Sequence, residues 1–383
     1  MSETVRRLSW DEVAARRMAR HGLSAPLPGD PADAAAAMCG AHAQVMVAAE
    51  TSVALRLGGA TRSDVRAALW TDRTLVKTFG PRGTVHLLPA ELLPRWVGAM
   101  SALPPQPIGL PEPARLTPGQ TDEVVAAVDR ALIGAFLTLE ELGAAVVEQI
   151  GAWAGEPVMP AFGGQWPRWR QAIGTAANRG ALCFGPNRGR HVTYTSPRTW
   201  LEGYRPVEGT TALVGLTRAY LHAYGPATPR DLARWLGILP GPAEEMIAAA
   251  GVEQVERAGT VAWQLAGDDA EAGRPEGVVL LPYFDAYVVG ARPRELLFPG
   301  AAAGRALAGG QAGNYPVVLV DGVVAGVWHQ KPAARRVTVR VELLRPLTPA
   351  LRRALDEQVA RLAAILELDA QLVLGTVTVG PHA

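Results

Sequence analysis

Two positions in the segment Gly40-Ala41-His42-Ala43-Gln44-Val45-Met46-Val47-Ala48-Ala49-Glu50 carry side chains able to both donate and accept hydrogen bonds, in a run otherwise small or apolar as far as Glu50. His42 and Gln44 stand two residues apart. On a regular helix such side chains point about 200° from one another and cannot serve one site, so joint action needs a local bend or an irregular helix start. Gly40, a residue able to break a helix, stands just before them. From these residues alone a second reading stays open: a buried His42 satisfied by a backbone carbonyl, with Gln44 facing solvent.

A different chemistry is written between Pro157 and Leu201. Six arginines, Arg168, Arg170, Arg179, Arg188, Arg190 and Arg198, occur there without an Asp or Glu, interleaved with Trp166, Trp169, Phe184, Tyr194 and Trp200. Basic segments with interleaved aromatics suit phosphates, and the planar guanidinium fork suits them better than an ammonium. Lysine occurs only at Lys77 and Lys331, so the cationic work falls to arginine. A solvated arginine surface is the plainer alternative.

The elements that would position these groups follow a repeat. ATRSDVRAAL from Ala60, LTLEELGAAV from Leu137 and ATPRDLARWL from Ala227 each place a threonine (Thr61, Thr138, Thr228) three residues before an acid (Asp64, Glu141, Asp231). That spacing predicts three capped helix starts, with the hydroxyl accepting an orphan amide and the acid favouring the positive helix end. Each is followed by further helical sequence and a hairpin pattern: TLVKTFGPRGTVHLLP, then ALCFGPNRGRHVTYT with its turn at Gly185–Gly189, then VEQVERAGTVAWQLAG. Helix, helix, hairpin is the order of a winged helix. From about Arg274 the pattern changes to short strands, GVVLLPYFDAYVVG, YPVVLVDGVVAGVWHQ and RRVTVRVELL, with an Asp321-Gly322 turn, then a helix near Pro349–Leu366 and a last strand over Gln371–Thr378. The expected fold class is α+β. Three tandem winged-helix units, at 8–100 (with the His42 motif), 117–200 (with the basic hairpin) and 210–268, precede a β-rich, barrel-like C-terminal domain at 274–383.

The 383 residues, 49% hydrophobic and 19% charged, suffice for several packed domains. The opening MSETVRRLSWDEVAARRMARHG lacks an apolar signal core, and no stretch approaches the roughly 18 apolar residues of a membrane span, so a cytoplasmic protein is expected. Cys39 and Cys183, far apart and without a CxxC spacing, argue against a disulfide framework and a zinc site.

With these motifs in order, the chain resembles the AlkZ-like winged-helix DNA glycosylases. The matching stretches are GAHAQVMVAAE at 40–50, PRGTVHLLP at 81–89, RAYLHAYGPATPRDLARWLG at 218–237, LLPYFDAYVVGARPR at 280–294 and LVDGVVAGVW at 319–328. The resemblance implies hydrolysis of the N-glycosidic bond of alkylated bases in double-stranded DNA, without cofactor or metal, by a monomer. It places catalysis on His42-Ala43-Gln44, where the family motif is Gln, a hydrophobic residue, then Gln or Asp. The second polar position matches and the first departs. A His-first motif is similar to the branch associated with self-resistance to bulky natural products that intercalate and alkylate guanine N7.

The resemblance further assigns Gln44 to hold a water through its amide oxygen, and a neutral His42 to accept that water's proton or orient it. No lysine lies near the motif, which favours simple hydrolysis over a lyase route. DNA contacts are expected from Arg82, His86, Arg168, Arg170, Arg188 and Arg190, and site support from Asp285, Tyr287, Arg292 and Arg294. For Arg82 and His86 a strand-end arginine and a buried histidine are equally good readings; for the last four, a fold-supporting ion-pair network is the alternative. The rival of another class is a non-catalytic winged-helix regulator, which would act as a two-fold dimer on a palindrome.

Overall fold

The structure, a computed structural model, describes residues 5–104, 109–161, 163–269 and 273–382. It divides into two compact units, one built from 1–72 with 217–383 and the other from 73–216. The division at Asp72/Arg73 lies inside the stretch 8–100 that the sequence pattern treats as one piece.

In the discontinuous unit, helix Trp10–Arg20 starts at a closed capping box in which Glu12 N–H donates to the Ser9 hydroxyl and the Ser9 N–H to the Glu12 carboxylate. Helices Pro31–Ala37, Met46–Leu55 and Arg62–Trp70 follow, the last beginning with the expected Thr61/Asp64 box. Helices Pro229–Leu236, boxed by Thr228 and Asp231, and Pro240–Ala249 precede an antiparallel hairpin, Val252–Arg257 with Thr260–Leu265. Strand Arg6–Leu8 joins that hairpin in parallel.

The C-terminal region is an open, curled five-stranded sheet, half of a barrel: Val278–Leu281, Val317–Val320, Val323–Ala333, Arg336–Leu343 and Asp369–Leu374 pair in chain order, antiparallel except for the last pair. Asp321 and Gly322, both at positive φ (48° and 78°), make the tight turn that the Asp-Gly pair predicts. One face of this sheet, through Val318, Val337, Val339 and Val341, packs on Leu351, Leu355, Val359 and Leu362 of helix Pro349–Leu366. The other, through Val279, Leu281, Val317 and Leu319, packs on Tyr287, Leu297 and Phe298.

The β reading of this region needs correction in three places. LLPYFDAYVVG holds one strand only, because the Asp285 carboxylate accepts the Tyr287 amide and caps helix Ala286–Gly290; helices Arg294–Leu297 and Ala301–Ala306 then fill the interval. A side-chain cap outweighs the β propensity of Tyr-Val-Val. The sheet stays open instead of closing as a barrel. The last strand ends at Leu374, short of the expected 378.

The contiguous unit holds hairpin Leu75–Phe79 with Val85–Pro89, helices Leu93–Ala102 and Pro118–Leu132, and helix Leu139–Ile150 behind the Thr138/Glu141 box. Strands Leu137–Thr138, His191–Thr195 and Cys183–Arg188 form a sheet in that order. Pro157–Ala161 and Gly164–Pro167 form a second, two-stranded sheet. The expected turn at Gly185–Gly189 is displaced: strand Cys183–Arg188 continues through a register shift, Arg188 pairs with His191, and Gly189-Arg190 forms the tip.

Candidate active site

The chain around His42 is not a helix. Helix Pro31–Ala37 ends at Met38, Cys39 and Gly40 take positive φ (54° and 103°), Ala41–His42 is extended, and the next helix begins only at Met46. Residues 43–45 between strand and helix are non-helical, with a bend at 44–45, so the irregular helix start that joint action requires is present. His42 is buried (9% exposed), whereas Gln44 is exposed. The Gln44 backbone N–H donates to His42 Nδ1 at 3.5 Å. With Nδ1 accepting, the proton of a neutral imidazole resides on Nε2.

The face of the His42 ring rests on Phe284, centroids 4.6 Å apart and planes 25° from parallel. Phe284 is held at φ 56°, a left-handed conformation that costs a non-glycine residue about 1–2 kcal/mol. Its amide donates to the Gly313 carbonyl at 2.9 Å, and a Cβ at Gly313 would stand 3.0 Å from the Phe284 ring. His382 meets Phe284 edge-on at 5.4 Å, and Tyr283 lies 5.5 Å from His382.

Helix Met46–Leu55, which follows the motif, is fixed by charge. Asp285 is 1% exposed; Arg56 donates to both its oxygens at 2.9 Å and the Ser52 hydroxyl adds a bond of 2.5 Å. Burial alone would raise the Asp285 pKa, yet Arg56 and the bonds from Arg56, Ser52 and the Tyr287 amide hold the carboxyl below the usual carboxylate range. At the other side, buried Glu50 accepts from Arg62 Nε at 2.8 Å and Arg66 Nε at 2.7 Å. Arg361 donates to the carbonyls of Ala54 and Leu57, both at 2.7 Å, and closes the helix end. Tyr224 donates its hydroxyl to the Met38 carbonyl at 2.8 Å, anchoring the chain just before the bend.

The remaining candidates fall in different places. Tyr287 is fully enclosed, its hydroxyl 3.3 Å from the Gly322 carbonyl, and burial pushes its pKa up. Arg292 donates to the carbonyls of Val289 and Ala291, and Arg294 to those of Val288 and Val289. These three, with Asp285, bind backbone and neighbouring side chains of their own unit. In the contiguous unit Arg82 is exposed at φ 59°, and His86 is buried with Nδ1 2.9 Å from the Thr84 carbonyl and its ring against Gly80.

The arginines of 157–201 are less free than their sequence suggests. Carboxylates from outside the stretch reach four of them: Glu156 to Arg168 (2.8 Å), Asp122 to Arg179 (2.6 Å), Glu141 to Arg188 (2.7 Å) and Asp129 to Arg198 (2.9 Å). Arg170 lies over the exposed ring of Trp166 at 3.9 Å, and Arg190 is exposed at the hairpin tip. The exposed pairs of Arg179, Arg188 and Arg198 contribute at most about 1 kcal/mol each, so a phosphate can displace them, whereas the Arg168 side chain is mostly buried.

Sequence reasoning passed over Ser52, Arg56, Glu50 and Phe284. An arginine closing a buried helix whose one other charge is Glu50 was the available signal for Arg56; nothing local marks Phe284 as a neighbour of His42, far earlier in the chain.

An extended, bent His-x-Gln segment clamped to an aromatic and ion-paired support can be set beside known proteins. A solved structure, the Streptomyces sahachiroi DNA glycosylase AlkZ, matches with a TM-score of 0.78 at 28% identity over 96% of this chain and 100% of that one. An interstrand DNA cross-link repair glycosylase of Streptomyces sahachiroi is 30% identical over 349 residues, 84% of this chain and 88% of that protein. The family model described as DNA glycosylase AlkZ-like matches residues 35–365. With the family model, the relative and the solved structure in agreement, the rival reading of a non-catalytic regulator gives way: the chain belongs to the AlkZ-like DNA glycosylase family and is a DNA N-glycosylase, a hydrolase.

Proposed function

We propose that the protein hydrolyses the N-glycosidic bond of N7-alkylguanine in double-stranded DNA, with bulky, intercalating natural-product adducts as its substrates, and so serves self-resistance. The observation that carries this reading is the coupling of His42 to Gln44: a buried imidazole whose Nδ1 is occupied by the Gln44 amide, next to an exposed carboxamide. In that tautomer His42 Nε2 is a donor and acts by orienting the water, while the Gln44 side-chain oxygen accepts a hydrogen bond from the water. Alkylation at N7 leaves the purine cationic. As the C1′–N9 bond breaks, its electron pair goes to the base, which leaves neutral; the water oxygen bonds to the oxocarbenium-like C1′ and its surplus proton passes to solvent. A leaving group this activated needs no strong base. The cross-link repair named for the relative is consistent with adducts of this size.

DNA would be held by three winged-helix units at 8–100, 117–200 and 210–268, with Arg190 and Arg170 as the leading phosphate contacts, Arg188 recruited by exchange with its carboxylate and the mostly buried Arg168 contributing least. The order helix, helix, hairpin at 229–265 supports this arrangement.

The test is single-turnover excision from duplex DNA carrying an N7-alkylguanine, read as alkali-labile abasic sites. Gln44→Ala and His42→Ala are each expected to slow excision by about 10²-fold or more with DNA affinity nearly intact, and the double variant to be barely slower than the worse single, because groups sharing one water act as a unit. Excision at the parent rate in all three would refute the assignment.

A further inference from the structure

We infer that Phe284 is a positioning residue for the glycosylase reaction, holding the His42 imidazole in the one orientation that directs Nε2 away from Gln44; the inference rests on the catalytic reading of His42 above. Two contacts are needed to fix a planar ring, one in its plane and one on its face. The Gln44 N–H to Nδ1 bond supplies the first and is long, at 3.5 Å, so it restrains the ring weakly. The Phe284 ring supplies the second, stacked at 4.6 Å and 25°. A stacked partner blocks rotation about the Cβ–Cγ bond without taking a ring nitrogen, as a purely in-plane clamp could not do.

The backbone argues that this contact is built and not incidental. Phe284 adopts a left-handed conformation that a glycine or asparagine would take more readily, yet a phenylalanine is present. That conformation places the ring against His42 while the next residue, Asp285, turns inward to Arg56 and Ser52. One dipeptide therefore sets the imidazole face and the helix that follows it. Gly313 leaves just enough room: its carbonyl accepts the Phe284 N–H, and any side chain there would press on Val289 and the Phe284 ring. His382 covers the ring's edge and limits its tilt.

The experiment combines excision kinetics with NMR of the full-length protein. Phe284→Leu keeps apolar bulk and removes the flat face; Phe284→Tyr keeps the face. Phe284→Leu is expected to slow single-turnover excision by about tenfold or more with little change in DNA affinity, and Phe284→Tyr to stay within about twofold of the parent. Loss of the ring current should shift the His42 imidazole proton resonances in Phe284→Leu and leave them near their parent positions in Phe284→Tyr. In a His42→Ala background, Phe284→Leu should add nothing. A parent-like rate in Phe284→Leu, an unmoved His42 resonance, or losses that multiply in the double variant would each overturn the inference. Should Phe284→Leu fail to fold, a Phe284→Tyr rate as low as that of His42→Ala overturns it equally. If His42→Ala itself excises at the parent rate, the catalytic reading of His42 has failed instead, and the NMR arm still decides whether Phe284 orients the ring.

Discussion

In the unit that carries His42 a set of arginines, Arg17, Arg56 and Arg257, is turned inward, whereas Arg179, Arg188 and Arg198 of the other unit stay half open to water. Arg17 and Arg56 are almost wholly enclosed; Arg17 donates to the carbonyls of Gly225, Pro226 and Arg292, and Arg56 makes a two-pronged bond to Asp285. Arg257 likewise bonds Asp231 and the Pro226 carbonyl in the interior. In the contiguous unit Arg179, Arg188 and Arg198 pair with carboxylates while 41%, 57% and 52% of their side-chain surface stays open to water. The same residue type thus fixes backbone in one place and keeps an exchangeable contact in the other. Desolvation decides which: a charge removed from water cannot lose its partner cheaply, and a solvated one can.

The largest way to break this contrast is at Asp285. Asp285→Ala leaves Arg56 buried without its counter-charge and is expected to cost about 3–5 kcal/mol in denaturant unfolding, whereas replacing both, Arg56→Met with Asp285→Leu, should cost less than the single change. A single variant as stable as the parent would show that the pair does not anchor the helix after the motif.

A second effect is set by pH. His21 is enclosed beside Tyr224 and Tyr287, with Nε2 3.2 Å from the Ala223 carbonyl. Burial, then the nearby Arg56, pushes its pKa down to about 3 from the ordinary 6.5. The unfolded chain therefore binds a proton that the folded one refuses, and stability should fall as pH drops below about 6.5, continuing towards 3. His21→Leu is expected to flatten the fall in melting temperature between pH 6.5 and 4.5; a slope as steep as the parent's would assign the acid sensitivity to other groups.

The smallest effect sharpens the surface side. Arg190→Ala should weaken DNA binding a few-fold and lower the salt slope by about 1, while Arg188→Ala should lower it less, because a phosphate at Arg188 releases a DNA counterion but frees Glu141 to take one up. Equal slopes in the two variants would mean that the Arg188–Glu141 pair does not persist in solution.

The same contrast separates what could be read in the sequence from what could not. Thr61/Asp64, Thr138/Glu141 and Thr228/Asp231 act over three residues, and each capped helix begins where that spacing places it. Asp321-Gly322 is equally local, as is the apolar periodicity of Pro349–Leu366. The acid-free stretch misled because charge balance is spatial: Asp129 and Asp122 reach arginines 69 and 57 positions later, and Glu156 stands immediately before the stretch begins. At the site, the identity of His42 and Gln44 was visible and so was Asp285. Their arrangement was not, since the Phe284 stack and the Arg56 pair are made by chain segments that no local pattern connects.

The Arg56–Asp285 pair also bears on how the protein is made. Its partners are 229 positions apart, and residues 73–216 between them form a unit of their own. On a chain synthesised from the N-terminus, that inner unit can close on local contacts while the His42 segment still waits for a carboxylate not yet translated. A nascent or truncated chain ending before Asp285 would carry the complete motif with its supporting helix unlatched, and excision activity would arrive only with the last quarter of the polypeptide.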